Sequence, residues 1–175
     1  QTIGESIAEV LRVHQKVPGG AVAQRVAELL TQVGLRPQQA SAKAAQLSGG
    51  QCPRAGIARA LAMEPRLIVA DECVAALDVS IQGQIVNLLM DLQEKMGLAI
   101  LFIAHDLAIV RRLCDRVAVM YLGRIVEEGP VEAVFSRPLH PYTAALVAAI
   151  PEIDPDKPLP KSGLGGEPPS PVAVP

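Results

Sequence analysis

At 175 residues the chain has room for one domain or for part of a larger one. Half of it is apolar, yet only Phe102, Tyr121, Phe135 and Tyr142 are aromatic, so the expected core is aliphatic and no aromatic platform for nucleic acid is present. A net charge of −2 gives no basic footprint, and the longest apolar run, residues 98–104, falls far short of the roughly 20 residues that span a bilayer.

The first stretch does not read as a signal peptide, because Glu5, Glu9 and Arg12 interrupt it. Thr2 and Glu5 have capping-box spacing, and Ile3, Ile7, Val10 and Leu11 mark the face of a helix. Residues 16–20 are a break. Val22, Val26, Leu29, Leu30 and Val33 form a second stripe, with Gly34 as its expected C-cap. Residues 36–45 read as loop and a short helix.

Leu47, Ser48, Gly49, Gly50 and Gln51 come next. Ser48 reads as a helix N-cap whose small neighbours leave backbone N–H groups open to an anion. The helix should run to about Met63 and end before Pro65. With Ser48 as cap, Pro53 falls at the fifth helical position, where a shift or kink is expected. Residues 67–72 read as a buried parallel strand that delivers Asp71 and Glu72 to its C-terminal edge. An anion cradle and paired carboxylates suit a nucleotide with its metal.

Asp78 is expected to cap a long helix over residues 79–96, buried through Ile81, Ile85, Leu88, Leu89, Leu92 and Met96 and closed by Gly97. A second buried strand, residues 99–104, leads into His105 and Asp106, and a short helix follows. Residues 117–122 and 124–128 then form a hairpin around Gly123. Residues 130–150 hold two short helices joined through His140, Pro141, Tyr142 and Thr143. From Pro151 onward, eight prolines in the last 25 residues predict a disordered tail. Cys52, Cys73 and Cys114 are too few and too scattered for a disulfide framework or a zinc site, and suit a reducing cytoplasm. Alternating strands and helices predict an α/β fold with a mainly parallel sheet.

In order and spacing, four of these segments resemble the motifs of ABC-type ATPases. Residues 47–51 resemble the signature, residues 67–72 the Walker B strand, residues 75–78 the D-loop, and His105 the switch histidine. The segment 140–143 is similar to one in ATPases of oligopeptide, dipeptide and nickel importers. Cys52, Pro53, Cys73 and Ala75 depart from the usual residues of that branch.

The resemblance implies a partial ABC-type P-loop NTPase: a helical subdomain with the signature helix (1–64), the C-terminal part of the ATPase core (65–129), a helical extension (130–150) and the tail (151–175). It implies ATP and Mg²⁺ as ligands. Asp71 would hold the metal, and Glu72 would act as general base. His105 would contact the terminal phosphate. Ser48, Gly49, Gly50 and Gln51 would contact the nucleotide of a second ATPase subunit in a homo- or heterodimer, and Asp78 would couple the two sites. Transmembrane permease subunits are the implied partners, with a solute-binding protein acting indirectly and no nucleic acid. The implied location is peripheral, on the cytoplasmic face of the inner or plasma membrane.

No Gly-x4-Gly-Lys-Ser/Thr occurs in the 175 residues, so the chain reads as the C-terminal half of such a subunit, inactive alone. Two functions fit: the ATPase segment of a peptide or related importer, and a non-catalytic module that binds a partner ATPase or permease. Soluble ABC proteins of DNA repair or translation fit less well, given residues 140–143 and the missing basic surface.

Overall fold

A computed structural model describes residues 1–15 and 17–150, in which seven α-helices and four strands follow one another. Contacts divide the chain into two units, Gln1–Ile103 and Ala104–Pro175. The expected tail, residues 151–175, lies outside the described residues.

The first unit begins with α1 (Ile3–Val10), opened by the predicted capping box: the Glu5 N–H donates to Thr2 Oγ1 at 3.2 Å, and the Thr2 N–H donates to the Glu5 carboxylate at 2.6 Å. These bonds hold the Glu5 carboxyl below its ordinary range. A π-helical segment, Leu11–Gln15, then widens the helix, which the sequence pattern does not foretell. Helix α2 (Gly19–Gln32) carries the predicted stripe, with Val22, Val26, Leu29 and Leu30 buried. Its end is a Schellman motif. The Leu35 N–H reaches Leu30 O at 2.9 Å and the Gly34 N–H reaches Thr31 O at 3.0 Å, which requires the φ of 75° that Gly34 supplies. Two 3₁₀ turns, Pro37–Ser41 and Ala44–Gln46, lead to α3 (Gln51–Leu61).

Strand β1 (Leu67–Asp71), helix α4 (Val79–Met96) and strand β2 (Ala99–Ile103) complete the unit. The strands pair in parallel as expected, Leu67 opposite Ala99 through Asp71 opposite Ile103. The core is aliphatic: Ile7, Leu11, Leu29, Leu30, Val33, Leu61, Ile85 and Leu89 are almost wholly buried. At about 1.5–3 kcal/mol for each large side chain removed from water, these residues hold the unit together.

Two expectations fail here. The strands are not buried on both faces. Ile68 and Ala70 are inside, but Leu67, Val69, Leu101 and Ile103 are 44–57% exposed, so one apolar face of the pair is uncovered. Continuous apolar runs report what a strand can bury, not what lies beside it. At the end of α4, Met96 is exposed (41%), because the helix runs past the core in its last turn before Gly97 closes it with a φ of 65°.

The second unit contains α5 (Leu107–Leu113), β3 (Arg116–Tyr121), β4 (Arg124–Pro130), α6 (Val131–Ser136) and α7 (Pro141–Ala148). β3 and β4 form the predicted hairpin around Leu122 and Gly123, whose φ values of 48° and 76° fit the right-handed twist of the strands. A bulge interrupts the register between Val119 and Met120. The mainly parallel sheet is therefore corrected to one parallel pair and one antiparallel pair; among the described residues β2 pairs only with β1, and β3 only with β4.

Candidate functional site

The carboxylates lie where a parallel strand ends. β1 finishes at Asp71, and Glu72 follows with its N–H donated to Ile103 O of β2 at 2.9 Å. That bond continues the ladder one residue past the strand while φ swings to 44°. A left-handed conformation costs a non-glycine residue about 1–2 kcal/mol. Its occurrence at Glu72 means that neighbouring bonds over-determine the backbone there, a pattern that clusters at functional sites. Asp71 and Glu72 are both exposed.

The loop after Glu72 is folded on itself. Ala75 N–H donates to Glu72 O at 3.1 Å and Leu77 N–H to Val74 O at 3.2 Å, with Val74 buried beneath. The Gln82 side-chain amide also donates to Val74 O, at 3.0 Å, so α4 holds the loop from outside. Asp78 occupies the N-cap of α4 as expected. Only its carbonyl serves the helix, accepting from Ile81 and Gln82 at 2.9 Å each, while its exposed carboxylate makes no capping bond. Burial pushes the Cys73 thiol up, away from its thiolate form.

The segment Ser48, Gly49, Gly50 and Gln51 forms the turn into α3. The expected Ser48 side-chain cap is not formed: regular helix begins at Gln51, Gly50 is its cap residue, and no side chain caps it. The Gln51 amide oxygen instead accepts the Ser48 N–H at 3.1 Å, and Ser48 O accepts the N–H groups of Gln51 and Cys52 at 2.9 and 3.3 Å. Pro53 is thereby the third residue of α3, in the first turn, where N–H groups have no partner within the helix. The kink expected from Pro53 has no cause at that position.

Arg54, one residue on, donates from Nη1 to Val33 O at 2.7 Å and reaches Gln84 of α4 with Nη2 at 3.5 Å. It fixes α3 against the end of α2. Neither Arg54 nor Gln82 stands out in the sequence, since a polar residue on a helix ordinarily faces water.

His105 belongs to the second unit. It is exposed and lies just before Asp106, whose carboxylate caps α5 by accepting from Ala108 and Ile109 at 2.8 and 3.3 Å. Ser48, Gly49, Gly50, Gln51, Asp71, Glu72 and Asp78 all lie in the first unit. In the second unit, residues 140–143 form a structural cluster. His140 Nδ1 caps α7 by accepting the Tyr142 N–H at 3.1 Å, and the Tyr142 ring lies 4.3 Å from that of Tyr121. The Glu127 carboxylate accepts the N–H groups of Leu139 and His140 at 2.9 and 3.0 Å. The Leu139 bond, the nearby Thr143 hydroxyl and the His140 bond hold the Glu127 carboxyl below its ordinary range. The buried Thr143 hydroxyl makes no bond of good geometry there.

An exposed carboxylate at a strand end suits Mg²⁺, a hard cation that keeps part of its water and needs only one or two protein oxygens. Among the described residues, no group of three or more His, Cys, Asp or Glu gathers in a way that could hold a metal ion. No helix among them is long and apolar enough to cross a membrane.

Residues 2–75 match the family model described as ABC transporter, and residues 126–175 match that of the oligopeptide/dipeptide transporter, C-terminal region. The chain is 58% identical over 164 residues to the glutathione import ATP-binding proteins of Salmonella typhimurium (strain LT2) and Escherichia coli (strain K12), covering 94% of this chain and 26% of each relative. It thus spans about a quarter of the length of these relatives. Among solved structures, cbiO1 of Clostridium perfringens, part of the ABC transporter complex cbiONQ, is similar with a TM-score of 0.68 and 32% identity, over 78% of this chain and 53% of that one. The ADP conformation of MJ1267, an ATP-binding cassette of an ABC transporter, is similar with a TM-score of 0.64 and 28% identity, over 78% of this chain and 59% of the other.

Proposed function

The chain belongs to the ABC transporter family, in its oligopeptide/dipeptide importer branch, and from that premise we propose that it is the part of an ATP-hydrolysing subunit that carries the catalytic carboxylate. The observation that carries the reading is the pair Asp71 and Glu72 at the carboxyl edge of parallel strands, with the Glu72 backbone fixed by Ile103 in a strained conformation. Ligands of open α/β sheets bind at that edge.

ATP would supply the phosphoryl group, and Mg²⁺ the charge that neutralises it. In this reading Asp71 holds the metal and Glu72 takes a proton from the attacking water, a role for which its exposed carboxylate is accessible. Gly49 and Gly50 would offer N–H groups, Ser48 its hydroxyl and Gln51 its side-chain NH2 to a nucleotide held by a second ATPase subunit, while the Ser48 and Gln51 backbone N–H groups are used inside the turn. Asp78 joins the two sites through a carboxylate that its own helix does not use. His105 contacts the terminal phosphate. None of the 175 residues forms a phosphate loop, so turnover is proposed for a subunit in which one is present.

Residues 1–64 would face permease subunits at the cytoplasmic face of the membrane, and the imported solute would be a peptide or peptide-like molecule, as the relatives' name, glutathione import, suggests. With Pro53 in the first turn of α3, the departures that favour the non-catalytic reading reduce to Cys73 and Ala75. The test is Glu72→Gln in the assembled transporter. The reading requires loss of ATP turnover with nucleotide binding retained, and is rejected if turnover persists.

A further inference from the structure

Helix α4 touches both halves of the proposed first-unit site through consecutive residues. At one, a Cβ added to Gly50 would lie 2.9 Å from Ile81 Cγ2. That methyl belongs to a β-branched side chain, which has little freedom at χ1, so it cannot swing aside cheaply. Gly50 is therefore in close apposition to the first turn of α4. At the next residue, the Gln82 amide holds Val74 O, the carbonyl that also accepts the Leu77 N–H and shapes the loop between Glu72 and Asp78. Farther along α4, Gln84 receives the long contact from Arg54 Nη2, on the same helix whose first turn follows Gly50.

We infer that the first turn of α4 is a rigid positioning link, in which Ile81 bears on the Ser48–Gly49–Gly50–Gln51 turn and Gln82 holds the Glu72-to-Asp78 loop, so that displacement of either is passed to the other. Neighbouring residues of one helical turn move together, because the backbone bonds that Ile81 and Gln82 both make to Asp78 O, at 2.9 Å, fix their spacing. Gly50 then has a packing duty besides any contact with a nucleotide. The link needs no rearrangement of β1 and β2. It rests on the proposed function for its catalytic meaning, but the coupling itself is a property of this chain.

Hydrogen exchange in the full 175-residue chain tests it. Gly50→Ala should speed exchange of the Ala75 and Leu77 amides by about threefold or more, the low end for coupled contacts, although neither lies in the turn that was changed. Adding Ile81→Ala, which removes the obstructing methyl, should return both amides toward their original rates. From the other end, Gln82→Leu should speed exchange at Gln51 and Cys52, the amides that bind Ser48 O; this variant serves if Gly50→Ala does not fold. A Gly50→Ala chain that folds with the loop amides unchanged overturns the inference. So does a rise spread evenly over α2, α3 and α4 that Ile81→Ala fails to reverse. Either outcome leaves the proposed ATPase role standing, whereas persistent turnover in Glu72→Gln would reject that role and leave the coupling intact.

Discussion

Gly34→Ala tests how the end of α2 fixes the helix that follows the Ser48 turn. The backbone at Gly34 has a φ of 75°, and alanine in the left-handed region costs about 1–2 kcal/mol. The new Cβ would also sit 2.9 Å from Arg54 Nη1, the atom that donates to Val33 O at 2.7 Å. Displacing that guanidinium forfeits a charge-assisted bond worth about 1.5–3 kcal/mol at full strength, and less at this half-buried site. Alanine recovers roughly 0.4–1 kcal/mol by restricting the unfolded chain. The expected net loss is about 2–3 kcal/mol, a large share of the roughly 5–15 kcal/mol that holds a domain together. Urea unfolding followed by far-UV circular dichroism measures it, with Gly34→Ala made alone and in an Arg54→Ala background. In that background the penalty should shrink to the backbone part less the same unfolded-state gain, about 0.5–1.5 kcal/mol. An equal penalty in both backgrounds would refute the steric contact, and one below about 0.5 kcal/mol in either would refute the conformational argument.

In an assembled transporter, Glu72→Gln is expected to lower ATP turnover by about 10²–10⁴-fold, as phosphate release would show, while nucleotide titration still registers binding. Pro53→Gln should change the melting free energy by less than about 0.5 kcal/mol, because the first turn of α3 has no use for the N–H it restores; a larger gain would return the kink to consideration. Glu127 has a folded-state pKa below its ordinary value, so its contribution to stability is present above pH ~4.5 and is lost as pH falls through the folded value. Acid titration of α7 amides by NMR should show that loss, and Glu127→Gln should abolish this pH dependence; an unchanged acid limb would contradict it. The 175-residue chain by itself should release no more phosphate from ATP than its Glu72→Gln form does.

The local elements were legible because their causes are local. The capping box of Thr2 and Glu5, the stripe ending at Gly34, the Asp78-to-Gly97 limits of α4 and the hairpin about Gly123 each depend on residues within a few positions of one another. The order of the motif segments was legible for a similar reason, since it is a property of the chain and needs no packing. Tertiary structure decided the rest. An apolar run at residues 67–70 does not reveal that Leu67 and Val69 are more than half exposed, because burial depends on what lies across the sheet. Ser48 has the composition of a cap, yet the Gln51 side chain reached its N–H and the regular helix started three residues later. Gln82 and Arg54 read as surface residues until folding brought the Val74 and Val33 carbonyls within 3.0 and 2.7 Å of them. A hydrogen bond between residues distant in sequence leaves no periodic trace in it. The contacts that position Gly50 and the loop after Glu72 are of that long-range kind, and so only the folded chain displays them.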